Sequence, residues 1–439
     1  MVWLRLFILH IIILFPALPV FASEVNEITP DQQTVSSVPQ EDISNSPKIV
    51  SDYSDNKLAV AAVNKNILLF TDRIRENFSL WLSRSGKYLD LMKEILKEKD
   101  VPEEIVFLSL IESGFNPFAY SPARAVGHWQ FIASTAKRYG LTINWWMDER
   151  RDPVKSTTAA AHYLKDLYEM FGSWNLAMAA YNAGEGKILK ALNRTKTDDY
   201  WSLLTTKHIK RETKDYVPKF IAASLIANRP EDFGFENIEY HPPLDYDEVT
   251  ITSPVDLEVI AECAESTIEV IKELNPEIRR WCTPPDIPEY TLRIPEGKKD
   301  IFLENLSQVP AGELFTIDIY KVKKRDTLKS ISKKTGVPVQ VILDLNSMEK
   351  IMPFKAGEKI YIPPKGKFVL DRDDRAAIKK ASFKQKKKAH VKAKKAGTKK
   401  LIKKASYHEK KTPVKNKSTG TKKLIKNASY NKKKVLSKS

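Results

Sequence analysis

Val101-Pro102-Glu103-Glu104-Ile105-Val106-Phe107-Leu108-Ser109-Leu110-Ile111-Glu112-Ser113-Gly114 reads as one short helix ending in a carboxylate. Pro102 and the two glutamates suit a first turn, where N–H groups lack partners and the dipole is positive. Gly114 suits the C-terminal cap, which favours left-handed backbone. The residues between are apolar nearly all round, so the helix is expected to be buried. Glu112 then meets low dielectric and the negative end of the dipole, and both disfavour ionisation. A Glu kept protonated near neutral pH is what a general acid for glycosidic cleavage requires. Taken alone the stretch is weak evidence, because a Glu at a helix end is more often solvated or ion-paired.

Outward from this helix the pattern stays helical. Runs at 134–139, 156–171, 175–181, 185–193 and 212–228 carry apolar residues at helical spacing, with Ser156 expected to cap the Ala159-Ala160-Ala161 helix. Upstream, Leu80, Tyr88, Leu91 and Ile95 recur at the same spacing, interrupted at the turn-like Ser85-Gly86. The expected fold is therefore a mainly α domain over 51–245 with its core at 95–235. Downstream, two smaller α+β units each read strand–helix–helix–strand: a degenerate one at 250–300 and a fuller one at 317–365. Each has a Leu-Asn pair after its second helix, Leu274-Asn275 and Leu345-Asn346, and each ends in Ile-Pro.

The chain has 439 residues and a net charge of +17, unevenly distributed. From Gly366 to Ser439 there are 27 basic and 4 acidic residues, +23 in all, so the other 365 residues carry −6. That tail repeats: the segment from Gly397 to Tyr407 returns from Gly420 to Tyr430 with Asn427 in place of Lys. Such charge density repels itself and buries nothing, so disorder is the expectation for 366–439. An apolar fraction of 42% with eight Trp excludes a wholly disordered chain, and 2 Cys exclude a disulfide scaffold. Arg5, the apolar stretch 6–20 and Val20-Phe21-Ala22 read as a signal peptide over 1–22, cleaved before Ser23, with a flexible polar linker over 23–50. The compartment is then extracytoplasmic, periplasm or cell envelope. There, Cys263 and Cys282 form either a disulfide or two buried thiols; their spacing allows both.

Glu112-Ser113, Asn116-Pro117, Ser121, Gly127-His128-Trp129-Gln130-Phe131, Ala180-Tyr181-Asn182-Ala183-Gly184 and Glu212-Thr213-Lys214-Asp215-Tyr216-Val217-Pro218 occur in this order. Together they resemble the soluble lytic transglycosylase domain, with its goose-lysozyme-like fold, over about Leu80 to Phe235. The resemblance implies action on peptidoglycan at the β-1,4 bond between N-acetylmuramic acid and N-acetylglucosamine. It makes Glu112 the sole acid and base, and gives a 1,6-anhydromuramic end without water. It also implies that Ser121 and Gln130 line the cleft against the N-acetyl group, and that Tyr181 orients Glu112 or the substrate. Asn182 would shape the same wall, and Glu212 and Tyr216 would border the donor sugar. Trp129 is a candidate for stacking on a sugar face, with core packing as its alternative; Trp145, Trp146 and Trp174 read as core. His128 stands where the family has an aliphatic residue and Ala133 where a Pro is common; neither is expected to touch the acid, and His128 reads as a solvated or satisfied histidine, with an altered subsite shape as the alternative.

The 317–365 unit is similar to a LysM domain, through Tyr320, Asp326-Thr327-Leu328, Leu345-Asn346 and Gly357-Glu358-Lys359-Ile360, with Arg325 in place of the usual Gly. The likeness implies a groove for N-acetylglucosamine-containing glycan formed by Asp326, Thr327, Leu328 and the segment around Asn346. The first unit lacks the Asp-Thr-Leu loop, so a spacer is as good a reading as a sugar binder. No zinc spacing, phosphate loop or nucleophile elbow is present, and neither metal nor organic cofactor is implied. The expected partners are glycan strands and, for the tail, an anionic envelope surface. Nucleic acid ranks last behind a signal peptide, and a monomer is expected. The alternatives are a hydrolytic goose-type lysozyme and a wall-binding protein with a dead cleft.

Overall fold

Residues 53–346, 348 and 353–368 are described by a computed structural model. The signal and linker segments, and the tail beyond 368, lie outside these residues. The opening stretch folds as a 3-10 turn, Glu103–Val106, running into helix α3, Phe107–Ser113, and Gly114 caps it at φ 58°. Phe107, Leu108, Ser109 and Leu110 are all buried. Around α3 stand α1 (Lys57–Leu68), α2 (Arg75–Glu98), α4 (Ala133–Arg138), α5 (Pro153–Phe171), α6 (Trp174–Ala183), α7 (Glu185–Thr195), α8 (Tyr200–Leu203) and α9 (Arg211–Asn228). One apolar core joins them, with Phe78, Met92, Leu110, Leu164, Met178 and Phe220 fully covered.

Two local expectations change. Helix α2 runs unbroken through Ser85-Gly86. A glycine is there because a Cβ at residue 86 would collide with the His241 carbonyl and the Tyr240 side chain, so the following chain lies directly on the helix. Ser156 is inside α5 rather than capping it: the Asp152 side chain accepts the Lys155 N–H at 2.7 Å, with Pro153 in the first turn.

Helix α9 contains Pro218, which cannot donate to the carbonyl four residues back. The freed Lys214 carbonyl finds another donor. The buried Tyr200 hydroxyl donates to Lys214 O at 2.9 Å and to Thr213 O at 3.0 Å. The turn carrying Tyr216 is thereby held from α8.

The first small unit comprises β1 (Tyr246–Ile251), α10 (Leu257–Cys263), α11 (Ile268–Leu274) and β2 (Tyr290–Pro295), followed by α12 (Lys299–Gln308). The second comprises β3 (Asp318–Lys321), α13 (Leu328–Thr335), α14 (Val339–Leu345) and β4 (Lys359–Ile362). Each has an antiparallel pair, with Tyr246 opposite Pro295 and Asp318 opposite Ile362. The two Leu-Asn pairs share one architecture. Asn275 donates to Ile271 O and Arg293 O and accepts the Arg293 N–H; Asn346 donates to Ile342 O and Tyr361 O and accepts the Tyr361 N–H. In both, one amide ties the end of the second helix to the closing strand.

The units are joined through segment 144–152. Met147 forms a bridge with Ile278, and Asp152 pairs with Arg293 at 2.9 Å in a buried contact. Trp145 and Trp146 are core, but of a core shared with Trp281 and the second unit. In the first unit the Val255–Leu257 loop is covered: Asp256 accepts the Thr316 N–H and hydroxyl and pairs with Lys367. Cys263 and Cys282 are both buried free thiols, which settles the disulfide alternative. Among the described residues, no helix is long and apolar enough to cross a membrane.

Candidate active site

Glu112 ends α3 on the wall of an open cleft of about 810 Å³, which Ser121, Gln130, Tyr181, Asn182 and Glu212 also line. The Tyr216 hydroxyl donates to Glu112 Oε1 at 2.6 Å. Burial pushes the Glu112 carboxyl up to about 7; the Tyr216 hydrogen bond and Lys219 pull it down, and the Glu212 charge raises it again. The carboxyl is therefore poised to give a proton and take one back near neutral pH.

The loop facing Glu112 is fastened to α3. Ser113 Oγ donates to Ser109 O at 3.1 Å and to His128 O at 2.9 Å, while Ser109 Oγ donates to His128 O at 3.2 Å. Ser113 is thus a clamp between helix and loop. Gln130 adopts a left-handed φ of 48°, and its Nε2 donates to Gly127 O at 2.9 Å and Ala119 O at 3.3 Å. Among the described residues its side-chain carbonyl oxygen accepts no side-chain or backbone hydrogen bond. Ser121 Oγ accepts the Ala125 N–H at 3.0 Å and keeps its own proton to donate. Asn182 Oδ1 accepts the Thr213 hydroxyl at 3.1 Å, joining α6 to α9.

Several expected roles change. Tyr181 donates to Trp129 O at 2.6 Å and the hydrogen bond to Glu112 comes from Tyr216, while Tyr181 lines the cleft beside the Glu112 charge. Trp129 has no exposed surface, and its indole donates to Thr157 Oγ1 at 2.9 Å. No sugar face reaches that ring, and its role is core packing. His128 is also fully buried, edge-on to Tyr88 at 4.5 Å, and burial pushes its pKa down to about 3. It is neutral and lies behind the cleft rather than in it. Ala133 opens α4 at the position where a Pro fits.

The cleft also holds residues that motif reading passed over. Arg138 pairs with Glu185 at 3.3 Å and lies over the Tyr163 ring, and Tyr163 donates to Glu185 at 3.3 Å. Ile132, half exposed, lines the same wall. Helical spacing hid them, because a charged or aromatic residue on an amphipathic helix gives no sign of which face lines a cleft.

In the second small unit the four proposed glycan residues are engaged internally. Asp326 accepts from Tyr320, Ser330, Lys334 and the Lys323 N–H, and the Lys334 contact holds its carboxyl well below the usual range. Thr327 caps α13 in a reciprocal box with Ser330, Leu328 is 1% exposed, and Asn346 braces β4. These side chains shape the loops, with Thr327 exposed and Asn346 half-buried. Arg325 takes φ 70°, the left-handed conformation that explains the usual Gly.

The site is thus a buried acid over an open cleft, followed in the chain by two strand–helix–helix–strand modules. Residues 91–204 match the transglycosylase SLT domain family. Residues 245–311 match the family described as the lytic transglycosylase MltD LysM-like domain, and 320–363 match the LysM domain. The chain thus carries a transglycosylase SLT domain followed by an MltD LysM-like domain and a LysM domain. It is 32% identical over 305 residues to membrane-bound lytic murein transglycosylase D of Escherichia coli strain K12, covering 63% of this chain and 66% of that protein. It therefore spans a little under two thirds of that relative's length. Membrane-bound lytic murein transglycosylase C of Pectobacterium atrosepticum is 27% identical over 165 residues, 32% of this chain and 46% of the relative. Among solved structures, the 70 kDa soluble lytic transglycosylase SLT70 of Escherichia coli matches at 23% identity and TM-score 0.32, covering 45% of this chain and 34% of that one.

Proposed function

We propose that the protein cleaves the β-1,4 bond between N-acetylmuramic acid and N-acetylglucosamine in peptidoglycan without water, leaving 1,6-anhydromuramic ends. The observation that carries this is the Glu112 carboxyl, poised near 7 at the wall of the cleft and held by one neutral donor. Protonated Glu112 gives its proton to the departing glycosidic oxygen, and the C1–O bond breaks. The substrate N-acetyl group, held by Ser121 and the Gln130 carbonyl end, stabilises the cationic sugar. Glu112, now a carboxylate, takes the proton of the muramic C6 hydroxyl, whose oxygen bonds to C1. The proton count closes on one residue. Glu185 is no second catalyst in this scheme, since Arg138 and Tyr163 occupy it and its pKa is lowered, first by a backbone hydrogen bond.

In the same reading the 317–365 module holds the enzyme on glycan strands, and the first module is a spacer, because its Val255–Leu257 loop is covered. The tail, +23 over 366–439, adds electrostatic retention at anionic envelope surfaces after export and signal cleavage. The enzyme works as a monomer. Glu112→Gln tests the assignment: soluble muropeptide release from purified peptidoglycan should fall at least about 10³-fold, while binding to the insoluble wall persists. Full release by that variant would remove Glu112 from the chemistry.

A further inference from the structure

Beside the catalytic cleft lies a second cavity, of about 310 Å³, whose basic residues neither the motifs nor the proposed reaction uses. Lys187, Lys190 and Arg194 lie at i, i+3 and i+7 of α7, which places them on one face, with Ala191 between them as a small apolar floor. The opposite wall is the segment before α9, with His208, Ile209 and Lys210. Glu212 is the sole acidic residue of the lining. Lys187 Nζ donates to Ala183 O at 2.8 Å, which fixes one cation at the mouth. Among the described residues, none of Lys187, Lys190, Arg194 and Lys210 has a carboxylate within ion-pair distance. So many unpaired cations in one concavity run against the −6 carried by the chain before its tail.

The cavity adjoins the cleft and both open to solvent, with Asn182, Ala183, Lys187 and Glu212 lining both. An anionic substituent on a strand bound at Glu112 can therefore reach it. We infer that this cavity is an anion subsite that takes a carboxylate of the peptide borne by a muramic residue next to the cleavage point. A phosphate ester would offer similar charge. At the muramic C6 oxygen, however, it would block the hydroxyl that the proposed reaction uses, so the peptide carboxylate is the source consistent with that chemistry. The inference rests on the proposed function for its ligand, and on the cavity alone for its charge.

The test compares the intact protein with Lys190→Ala/Arg194→Ala on two substrates, peptide-bearing glycan strands and strands stripped of peptide by an amidase. The ratio of kcat/KM on bearing strands to that on stripped strands should fall about tenfold in the double variant. An unchanged ratio overturns the subsite. Calorimetry of a soluble disaccharide–tetrapeptide with Glu112→Gln protein separates this from the cleavage reading. The affinity should drop about tenfold when the two cations are also removed, and inorganic phosphate should compete in the parent. Equal affinities in the two proteins also overturn it. If the parent cleaves neither substrate but binds the peptide through these cations, the subsite stands and the transglycosylase reading falls.

Discussion

The Tyr216 hydroxyl reaches Glu112 Oε1 at 2.6 Å across 104 residues of chain, joining the last turn of α3 to the first turns of α9. A neutral donor to a carboxylate favours its charged form, so this bond works against the burial that raises the Glu112 pKa. Tyr216→Phe removes it and should raise that pKa further, by about one unit if the bond is worth about 1.5 kcal/mol. The alkaline limb of the pH–rate profile, set near 7 in the parent, should move up accordingly, with a lower maximum because the carboxyl is less well aimed. A limb that stays in place would show that another group sets it.

Stability should respond to the same carboxyl. Its folded pKa lies above the ordinary value of 4.5, so the folded state holds the proton more tightly. Stability then falls as pH rises from about 4.5 to about 7, and the full penalty is present above 7. Glu112→Gln should melt higher than the parent at pH 8, by a few kcal/mol at most, and about equally at pH 4. Thermal denaturation at the two pH values reads this directly.

Tyr200 closes the gap that Pro218 leaves in α9. Tyr200→Phe strands the Lys214 carbonyl and should cost about 1–3 kcal/mol. Because Tyr216 is in that turn, kcat should fall even at temperatures where the variant is folded. A destabilised variant with full kcat would separate the turn from the chemistry.

Much of this was legible in local sequence. The end of α3 with Glu112 and Gly114 needed only a buried apolar run and a cap, and both small units declared themselves by their Leu-Asn pairs. Long-range pairings were not legible. The motif that carries Tyr216 says nothing of which carboxylate it meets, so Tyr181 took the expected role. Ser85-Gly86 looks like a turn unless the chain at 240–241 is known to lie against it. Trp129 looked like a sugar platform because its neighbour Gln130 does line the cleft; Trp129 itself is turned into the core. The Asp152–Arg293 pair, 141 residues apart, has no local signature.

Asn346 separates a structural from a glycan-contact role. Asn346→Ala removes two donated bonds and one accepted bond and should destabilise the module by about 2–3 kcal/mol. The equivalent Asn275→Ala should cost at least as much, since Asn275 is buried. Hydrogen exchange in β4 should accelerate in the first variant, with wall binding lost in proportion to the unfolded fraction. Lost binding with unchanged exchange would return Asn346 to the glycan surface.

The most direct test of the central claim is mass spectrometry of the muropeptides that the mature protein releases from purified peptidoglycan. Single-residue acid–base chemistry at Glu112 predicts products lighter by one water than the reducing-end forms, carrying 1,6-anhydromuramic acid. Reducing ends would contradict it and make the protein a lysozyme, with water in place of the C6 hydroxyl.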